Sequence, residues 1–542
     1  MCGILALLND TKNIQSALIE FKKGQHRGPE STKVEVYNKL LVGFHRLAIN
    51  GLDSISNQPI IVNNVLLICN GEIYNYKSLY KQLNITPKTN SDCEVIIHMY
   101  QKFGIEQTLT MLDGVFAFVL YDFSTIKNLY VARDPFGVRP LYKLDDDEDI
   151  YGFASELKCL SDIYDLGNNI SQFEPGTYSV FHLDTIWEPI QENVKYFIPT
   201  FSHNISFDEE TYYKNIASYL IAAVNKRCLA TERPIACLLS GGLDSSLITA
   251  LVDNFYKNTG YDTPLETYSI GLQGSEDLKN AKIVAEYLDT KHTEIIVTED
   301  EMFNVIPEVI YNIESYDTTT VRASIGNYLL GKYIAKNSEA KVIFNGDGSD
   351  ELFGGYLYMN RCPNDVEFDC ETRRLLKDIH LFDVLRSDKS ISSNGLEPRT
   401  PFLDKNFVNY VLSLPISFRN HNNQKQIEKY ILRTSFSPNN FSNHNGDALL
   451  PNEILWRKKE AFSDGVSGAG SSLYQILQKK IADKMNNEID MFEADINLEK
   501  YYYSSIYEKA YPNRLNLVPY YWMPKYTTAT DPSARSLHFY QN

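Results

Sequence analysis

The second residue of the chain, Cys2, carries a chemistry that few positions offer. Removal of Met1 would leave one residue holding both a thiol nucleophile and a free α-amine. That amine has a reference pKa of about 7.7–8.0, so near neutrality part of it is unprotonated and can take the thiol proton, directly or through one water. No histidine partner is then needed. A second stretch with chemical content is Ser240-Gly241-Gly242-Leu243-Asp244-Ser245-Ser246. Its glycines let backbone N–H groups converge on a phosphate. The hydroxyls of Ser240, Ser245 and Ser246 add donors, and a helix starting there adds partial positive charge. Asp244 supplies a carboxylate for a metal ion. The string lacks the lysine of a Walker loop, so transfer of a γ-phosphate is not its natural task.

These residues need elements to hold them. Pro234–Leu239 reads as a buried strand ahead of the glycine turn, and an apolar helix follows it. Glu266–Ile270, His292–Val297 and Lys341–Phe344 read as further strands with helical stretches among them, which predicts a parallel α/β sheet that binds ligands beyond its carboxyl ends. The first 185 residues carry short strand signals instead, at Leu41–Ile49, Val65–Cys69 and Gly114–Leu120. Ser91 and Glu94 have capping-box spacing ahead of an apolar helix. The acidic run Asp145–Asp149 reads as a solvated hairpin tip. Periodicity fades over 186–208, where an interdomain linker is expected, giving domains at 1–185 and 209–542. The last 150 or so residues read as helical and irregular, with an aromatic tail suited to packing.

At 542 residues the chain is too long for one core, and 43% hydrophobic with 22% charged residues is ordinary globular composition. A net charge of −17 excludes DNA or RNA as the main partner, since phosphate backbones require a basic surface. Eight cysteines without CxxC spacing indicate neither structural zinc nor a disulfide framework, so a reducing cytoplasmic setting is expected. No apolar run reaches the roughly 18 residues of a membrane span, so no membrane partner is expected. The apolar start lacks a basic leader segment and reads as a buried strand.

Beyond spacing, the loop at Ser240 resembles the pyrophosphate loop of the ATP pyrophosphatases. Together with Cys2-Gly3-Ile4 it makes the chain similar to the glutamine-dependent asparagine synthetases over nearly its whole length. Arg27-Gly28-Pro29-Glu30, Phe44–Ile49, Asn70–Asn75 and Arg133–Pro140 resemble segments of that family's glutaminase domain. In the second domain Asp317–Ser324, Gly348–Tyr356, Arg399–Asp404 and Lys459–Val466 also match. Val518–Trp522 and Ala529–Arg535 look like the eukaryotic-type tail.

The resemblance implies an α/β and α+β two-domain fold: an N-terminal Ntn-hydrolase αββα sandwich, then a PP-loop domain with a helical C-terminal portion. Cys2 matches the nucleophile, and Asn70 with Gly71 matches the oxyanion hole. Arg46 matches the residue that pairs with the glutamine carboxylate, and Leu47, Ala48, Ile49 and Asn50 match the adjoining glutamine-binding segment. Asp92, with Gly71 and Glu72, matches the site for the substrate α-amine. For ATP, the matching positions are Leu239, Ser240, Gly241, Gly242, Asp244, Ser245, Ile270, Asn345 and Gly346. Asp244 and Asp350 match carboxylates near pyrophosphate and Mg²⁺. Arg322 and Lys459 match basic groups that stabilise charge on the reacting phosphates.

One departure stands out. The best-known members read Ser-Gly-Glu-Gly-Ser-Asp-Glu where this chain has Asn345-Gly346-Asp347-Gly348-Ser349-Asp350-Glu351. Asp347 keeps the catalytic charge but loses one methylene, about 1.5 Å of reach. Wider relatives carry Asp there, which reads as a retuned site. The implied activity makes L-asparagine from L-aspartate, L-glutamine and ATP through β-aspartyl-AMP, with ammonia channelled between the sites. Alternatives are a related PP-loop amide ligase acting on another carboxylate, or a glutaminase with a degenerate synthetase half. The sequence leaves a homodimer open.

Overall fold

A computed structural model describes residues 1–10, 14–146, 149–163, 169–202, 208–460, 465–467, 472–485 and 497–537. Its contacts divide the chain into two units: 1–198 with 229–234 and 392–397, and the remainder.

The first unit holds twelve strands: Gly3–Leu8 (β1), Ser31–Tyr37 (β2), Leu40–Arg46 (β3), Ile60–Val62 (β4), Val65–Ile73 (β5), Gly114–Asp122 (β6), Asn128–Arg133 (β7), Tyr142–Asp145 (β8), Tyr151–Ala154 (β9), Asn169–Gln172 (β10), Thr177–Leu183 (β11) and Trp187–Lys195 (β12). They form two six-stranded sheets, in the orders β10-β8-β9-β1-β3-β2 and β12-β11-β7-β6-β5-β4. Side-chain alternation builds the layers. Ile4, Ala6 and Leu8 of β1 meet Leu66 and Ile68 of β5 in the core between the sheets, whereas Leu67 and Cys69 face the helix Val95–Met111. Buried on both faces, β5 reads as a continuous apolar run. Helix Ile14–Lys22 covers the other sheet: the Phe21 ring stacks on His45 at 3.8 Å, and a Cβ at Gly43 would meet that ring at 2.7 Å. The four layers are the expected αββα sandwich.

Three local expectations come out differently or in part. Residues 187–195, placed in the linker by their sequence, form β12 instead. This strand pairs with β11 and is exposed after Trp187 at nearly every position, so no apolar alternation announces it. Ser91 does cap the turn before Val95, accepting from the Cys93 N–H at 3.3 Å. Glu94 does not complete a capping box, because its carboxylate accepts from the Lys88 and Thr89 N–H groups and pairs with His98. The acidic run turns between β8 and β9 with Asp145 opposite Tyr151, although 147 and 148 lie outside the described residues.

The second unit is built on Ile235–Leu238 (β13), Glu266–Gly271 (β14), Lys291–Ile296 (β15), Val342–Phe344 (β16) and Glu397–Arg399 (β17), in the order β15-β14-β13-β16-β17. The pairs β13–β14, β13–β16 and β14–β15 are parallel. Helices make up most of the rest, as the C-terminal sequence suggested. The aromatic tail packs: Tyr503 and Tyr507 are fully buried, and Trp522 lies 5.2 Å from Tyr356. The order reverses at β13, so β14 and β16 flank it and a crevice opens beyond its carboxyl end. Among the described residues no helix is long and apolar enough to cross a membrane.

Candidate active sites

Cys2 directly precedes β1, and its thiol lies 3.6 Å from the Leu47 carbonyl oxygen. Arg27, fully buried, donates from Nε to the Cys2 carbonyl at 2.9 Å and pairs with Glu156 at 2.6 Å. Burial pushes the Cys2 thiol up to about 11. Burial also lowers the Met1 α-amine to about 6. A thiol in that state is a poor nucleophile without a base.

Asn70 and Gly71 lie inside β5, with the Asn70 side chain wholly buried. Ser155 ties them to the start of β1, since its Oγ accepts from Ile4 N–H at 3.1 Å and sits 3.4 Å from Asn70 Nδ2. Asn70 Oδ1 has no hydrogen-bond partner among the described residues. A Cβ at Gly71 would meet the Val115 carbonyl oxygen at 2.5 Å, so glycine is required there.

The segment from Arg46 to Asn50 is fixed through its backbone. Leu47, Ala48 and Ile49 are buried; Ala48 N–H donates to Glu30 at 2.9 Å, and the Ile49 carbonyl accepts from Glu232 N–H at 2.9 Å. Arg46 donates to the Gly51 carbonyl, and Asn50 Nδ2 donates to Glu72 at 2.6 Å. Asp92 accepts from Ile73 N–H at 2.6 Å. Glu72, Asp92 and Glu232 surround Tyr76 closely enough to help burial raise its hydroxyl to about 12. Such an acidic surround suits an ammonium group.

In the second unit a cavity of about 210 Å³ opens at the carboxyl ends of β13, β14 and β16. Its lining includes Leu239, Ser240, Gly242, Asp244, Ser245, Ile270, Asn345, Gly346, Asp347, Asp350 and Lys459. Gly241 shapes the turn behind them: its φ is +72°, and a Cβ would meet Ala281 N at 2.4 Å. Ser240 and Ser245 hydroxyls lie 2.9 Å apart, and helix Leu243–Thr259 begins immediately after the glycines. A Cβ at Gly346 would meet Asp244 at 2.8 Å, which lets the loops after β13 and β16 touch. The arrangement is an anion cradle at a helix N-terminus.

Two carboxylates at the cavity are held by lysines. Lys459 Nζ lies 2.5 Å from Asp350 and 3.8 Å from Asp244. Lys429, which lies in no motif quoted from the sequence, reaches both as well, at 2.5 Å from Asp244 and 2.6 Å from Asp350. Burial alone would raise the Asp350 carboxyl, but Lys429 and Lys459 hold it well below the usual carboxylate range. Asp244 Oδ1 is buried without a hydrogen-bond partner among the described residues. An orphaned carboxylate oxygen beside a second carboxylate fits a hard divalent cation.

Asp347 also lines the cavity, 3.5 Å from Arg386, which pairs with Asp383 as well. Burial raises the Asp347 carboxyl while Arg386 pulls it down. Neither Arg386 nor Asp383 was anticipated, although their spacing on helix Asp383–Ser392 puts both on one face. Arg322 does not join this group. Its guanidinium is buried against Glu499 at 2.6 Å and Asp531 at 2.8 Å and is absent from the cavity lining, so its donors are spent on holding the fold together. The segment 461–464 after Lys459 lies outside the described residues.

An Ntn-type sandwich with a part-buried thiol, joined to a parallel sheet with a pyrophosphate-type loop, defines a two-domain amidotransferase-ligase. Family comparison agrees: residues 1–216 match a glutamine amidotransferase domain, and residues 215–369 and 360–523 match asparagine synthase. The chain is 42% identical to a Gallus gallus protein called glutamine-hydrolysing asparagine synthetase, with 100% of this chain and 99% of that protein covered. Proteins of the same description from Cricetulus griseus and Homo sapiens are 41% and 39% identical, again covering 100% of this chain and 99% of theirs. The chain belongs to the family of glutamine-hydrolysing asparagine synthetases.

Proposed function

We propose that the chain is an enzyme that makes L-asparagine from L-aspartate, with L-glutamine as nitrogen donor and ATP as energy source. The observation that carries this reading is that one chain holds both half-sites: a thiol just ahead of β1, whose Ile4 shares Ser155 with Asn70, and an anion cradle with paired carboxylates. In this reading Cys2 attacks the glutamine amide, forming a thioester and ammonia, and water then releases glutamate. Asn70 Nδ2 and Gly71 N–H stabilise the tetrahedral oxyanion, each such donor being worth about 10²–10³ in rate. Arg46 takes the glutamine carboxylate, and Asp92 with Glu72 takes its ammonium, on the backbone framework of Leu47–Asn50.

In the second domain the Leu239–Ser245 loop, Ile270, Asn345 and Gly346 hold ATP. The aspartate β-carboxylate attacks the α-phosphorus, pyrophosphate leaves, and ammonia displaces AMP from β-aspartyl-AMP. Asp244 and Asp350 would hold Mg²⁺, which supplies charge neutralisation on the β- and γ-phosphates. Lys459 adds a fixed positive charge at the phosphates, and Asp347 is the acid–base candidate for the acyl step. Exclusion of water protects the adenylate from hydrolysis. The reading extends to a cytoplasmic setting, leaves room for a homodimer, and divides the chain at about residue 200.

Pyrophosphate release measured with ATP, Mg²⁺ and glutamine across a panel of carboxylic acids tests the assignment. Aspartate alone should support turnover. A different preferred acid would make the chain another amide ligase, and release with none would leave only a glutaminase.

A further inference from the structure

The proposed chemistry has no use for Lys429, yet the fold goes to some length to place it. Its side chain is 1% exposed and its ammonium bridges Asp244 and Asp350, at 2.5 and 2.6 Å. Its backbone has φ +58°, in the left-handed region that a non-glycine residue adopts rarely and at a cost. Its stem runs through a slot left by Gly355, where a Cβ would meet Lys429 Cε at 2.0 Å and Asp350 Oδ1 at 2.4 Å. Strain, slot and two ion pairs converge on one ammonium.

We infer that Lys429 is an internal counter-cation that occupies the metal-binding carboxylates until pyrophosphate-bearing nucleotide arrives. This rests on the reading of the cavity as the Mg·ATP site. Two carboxylates near enough to share one ammonium, and only 16% and 20% exposed, are costly to leave unpaired. With Lys429 and Lys459 both present, the four groups are neutral together. A divalent cation taking Asp244 and Asp350 competes with Lys429 for those carboxylates and leaves the cluster with excess positive charge. When phosphates arrive with the metal, the released ammonium has an anion to pair with. Lys429 therefore opposes metal binding in the empty site and favours phosphate binding in the filled one. It makes the two ligands bind cooperatively, and such a coupling is reciprocal by linkage.

The sign reversal is testable without turnover. Mn²⁺ binding to the full-length chain can be titrated by electron paramagnetic resonance, with and without inorganic pyrophosphate, for the parent, Lys429→Met and Lys429→Gln. Circular dichroism checks folding, and the glutamine variant keeps a polar group of similar length should methionine fail to fold. The parent should bind Mn²⁺ weakly alone and about tenfold or more tightly with pyrophosphate. Either variant should bind Mn²⁺ about tenfold more tightly alone, and pyrophosphate about tenfold more weakly at saturating Mn²⁺. Folded variants with unchanged or weaker Mn²⁺ affinity in the absence of pyrophosphate overturn the role given to Lys429 while leaving the nucleotide site intact. A parent chain that binds neither Mn²⁺ nor pyrophosphate overturns the nucleotide site itself, and this inference with it.

Discussion

The two sites solve opposite electrostatic problems. Around Cys2 the backbone takes up many of the polar groups: Arg27 Nε by the Cys2 carbonyl, Arg46 by Gly51 and Asp92 by Ile73 N–H, with one ion pair, Arg27 to Glu156, behind the thiol. The scissile group to be received is an uncharged amide, so its surroundings can be fixed in a sheet core in advance. In the second cavity the charges satisfy one another: Lys429 and Lys459 with Asp244 and Asp350, Arg386 with Asp347 and Asp383. A polyanion and its metal must take over those pairings on arrival. A site for a neutral group is built by packing, and a site for a polyanion by stored counter-ions. Damage should accordingly abolish a step in the first and shift affinities or rates more gradually in the second.

The largest effect tests whether the two sites are chemically separate. Cys2→Ala should cut glutamine-dependent asparagine formation by about 10⁴-fold or more, as loss of a covalent nucleophile does. Synthesis from ammonium chloride should stay within about twofold of the parent, because the nucleophile has no part in that step. Both rates can be read from asparagine formed with each nitrogen source. Equal loss of both in a folded variant would join what the comparison separates.

A smaller effect probes the departure at Asp347. Its carboxylate stands 3.5 Å from Arg386, and a misplacement of about 1 Å at a reacting group can cost roughly 100-fold. Asp347→Ala should lower ammonia-dependent synthesis by about 100-fold, while Asp347→Glu should stay within about tenfold. Glutaminase activity should not move in either. Pyrophosphate release and glutamate release, measured on the same samples, separate the outcomes. An alanine variant with parental synthesis would remove Asp347 from the chemistry.

What the sequence revealed follows the same division. Strands buried on both faces, such as β5, and loops built on glycine announce themselves, because their composition is dictated by local geometry. The strand Trp187–Lys195 did not, since an exposed edge strand has no inner and outer face to alternate. The lining predicted for ATP came together almost completely, because it lies in loops directly after β13, β14 and β16. Lys429, Arg386 and Asp383 stayed hidden. Each acts through partners that are far off in sequence or through a backbone angle that no local pattern encodes, as with Lys429 and Asp244, 185 positions apart. Arg322 was assigned to the phosphates only through the family resemblance of its segment, and the fold shows that Glu499 and Asp531 already hold it.

The smallest effect is a pH profile, and it tests whether burial around Cys2 serves catalysis. A thiol pushed up to about 11 would by itself give a glutaminase rate that climbs with pH past 10. An adjacent α-amine changes the shape. The amine is the base only when unprotonated, so the rate rises tenfold per pH unit below the amine pKa and is level above it. Burial brings the Met1 amine down to about 6, and the amine exposed on Cys2 by removal of Met1 would stand one residue nearer the buried strand β1. Its plateau should therefore begin between about pH 6 and the unperturbed value near 8. The measurement is kcat/KM for glutamine hydrolysis from pH 5 to 10, on protein whose intact mass shows Met1 absent. A log-linear rise continuing above pH 9 would assign proton removal to solvent, and full activity in chains that retain Met1 would do the same. Either result would leave the glutaminase half with a part-buried nucleophile and no built-in base, erasing the pre-assembly that sets it apart from the counter-ion site.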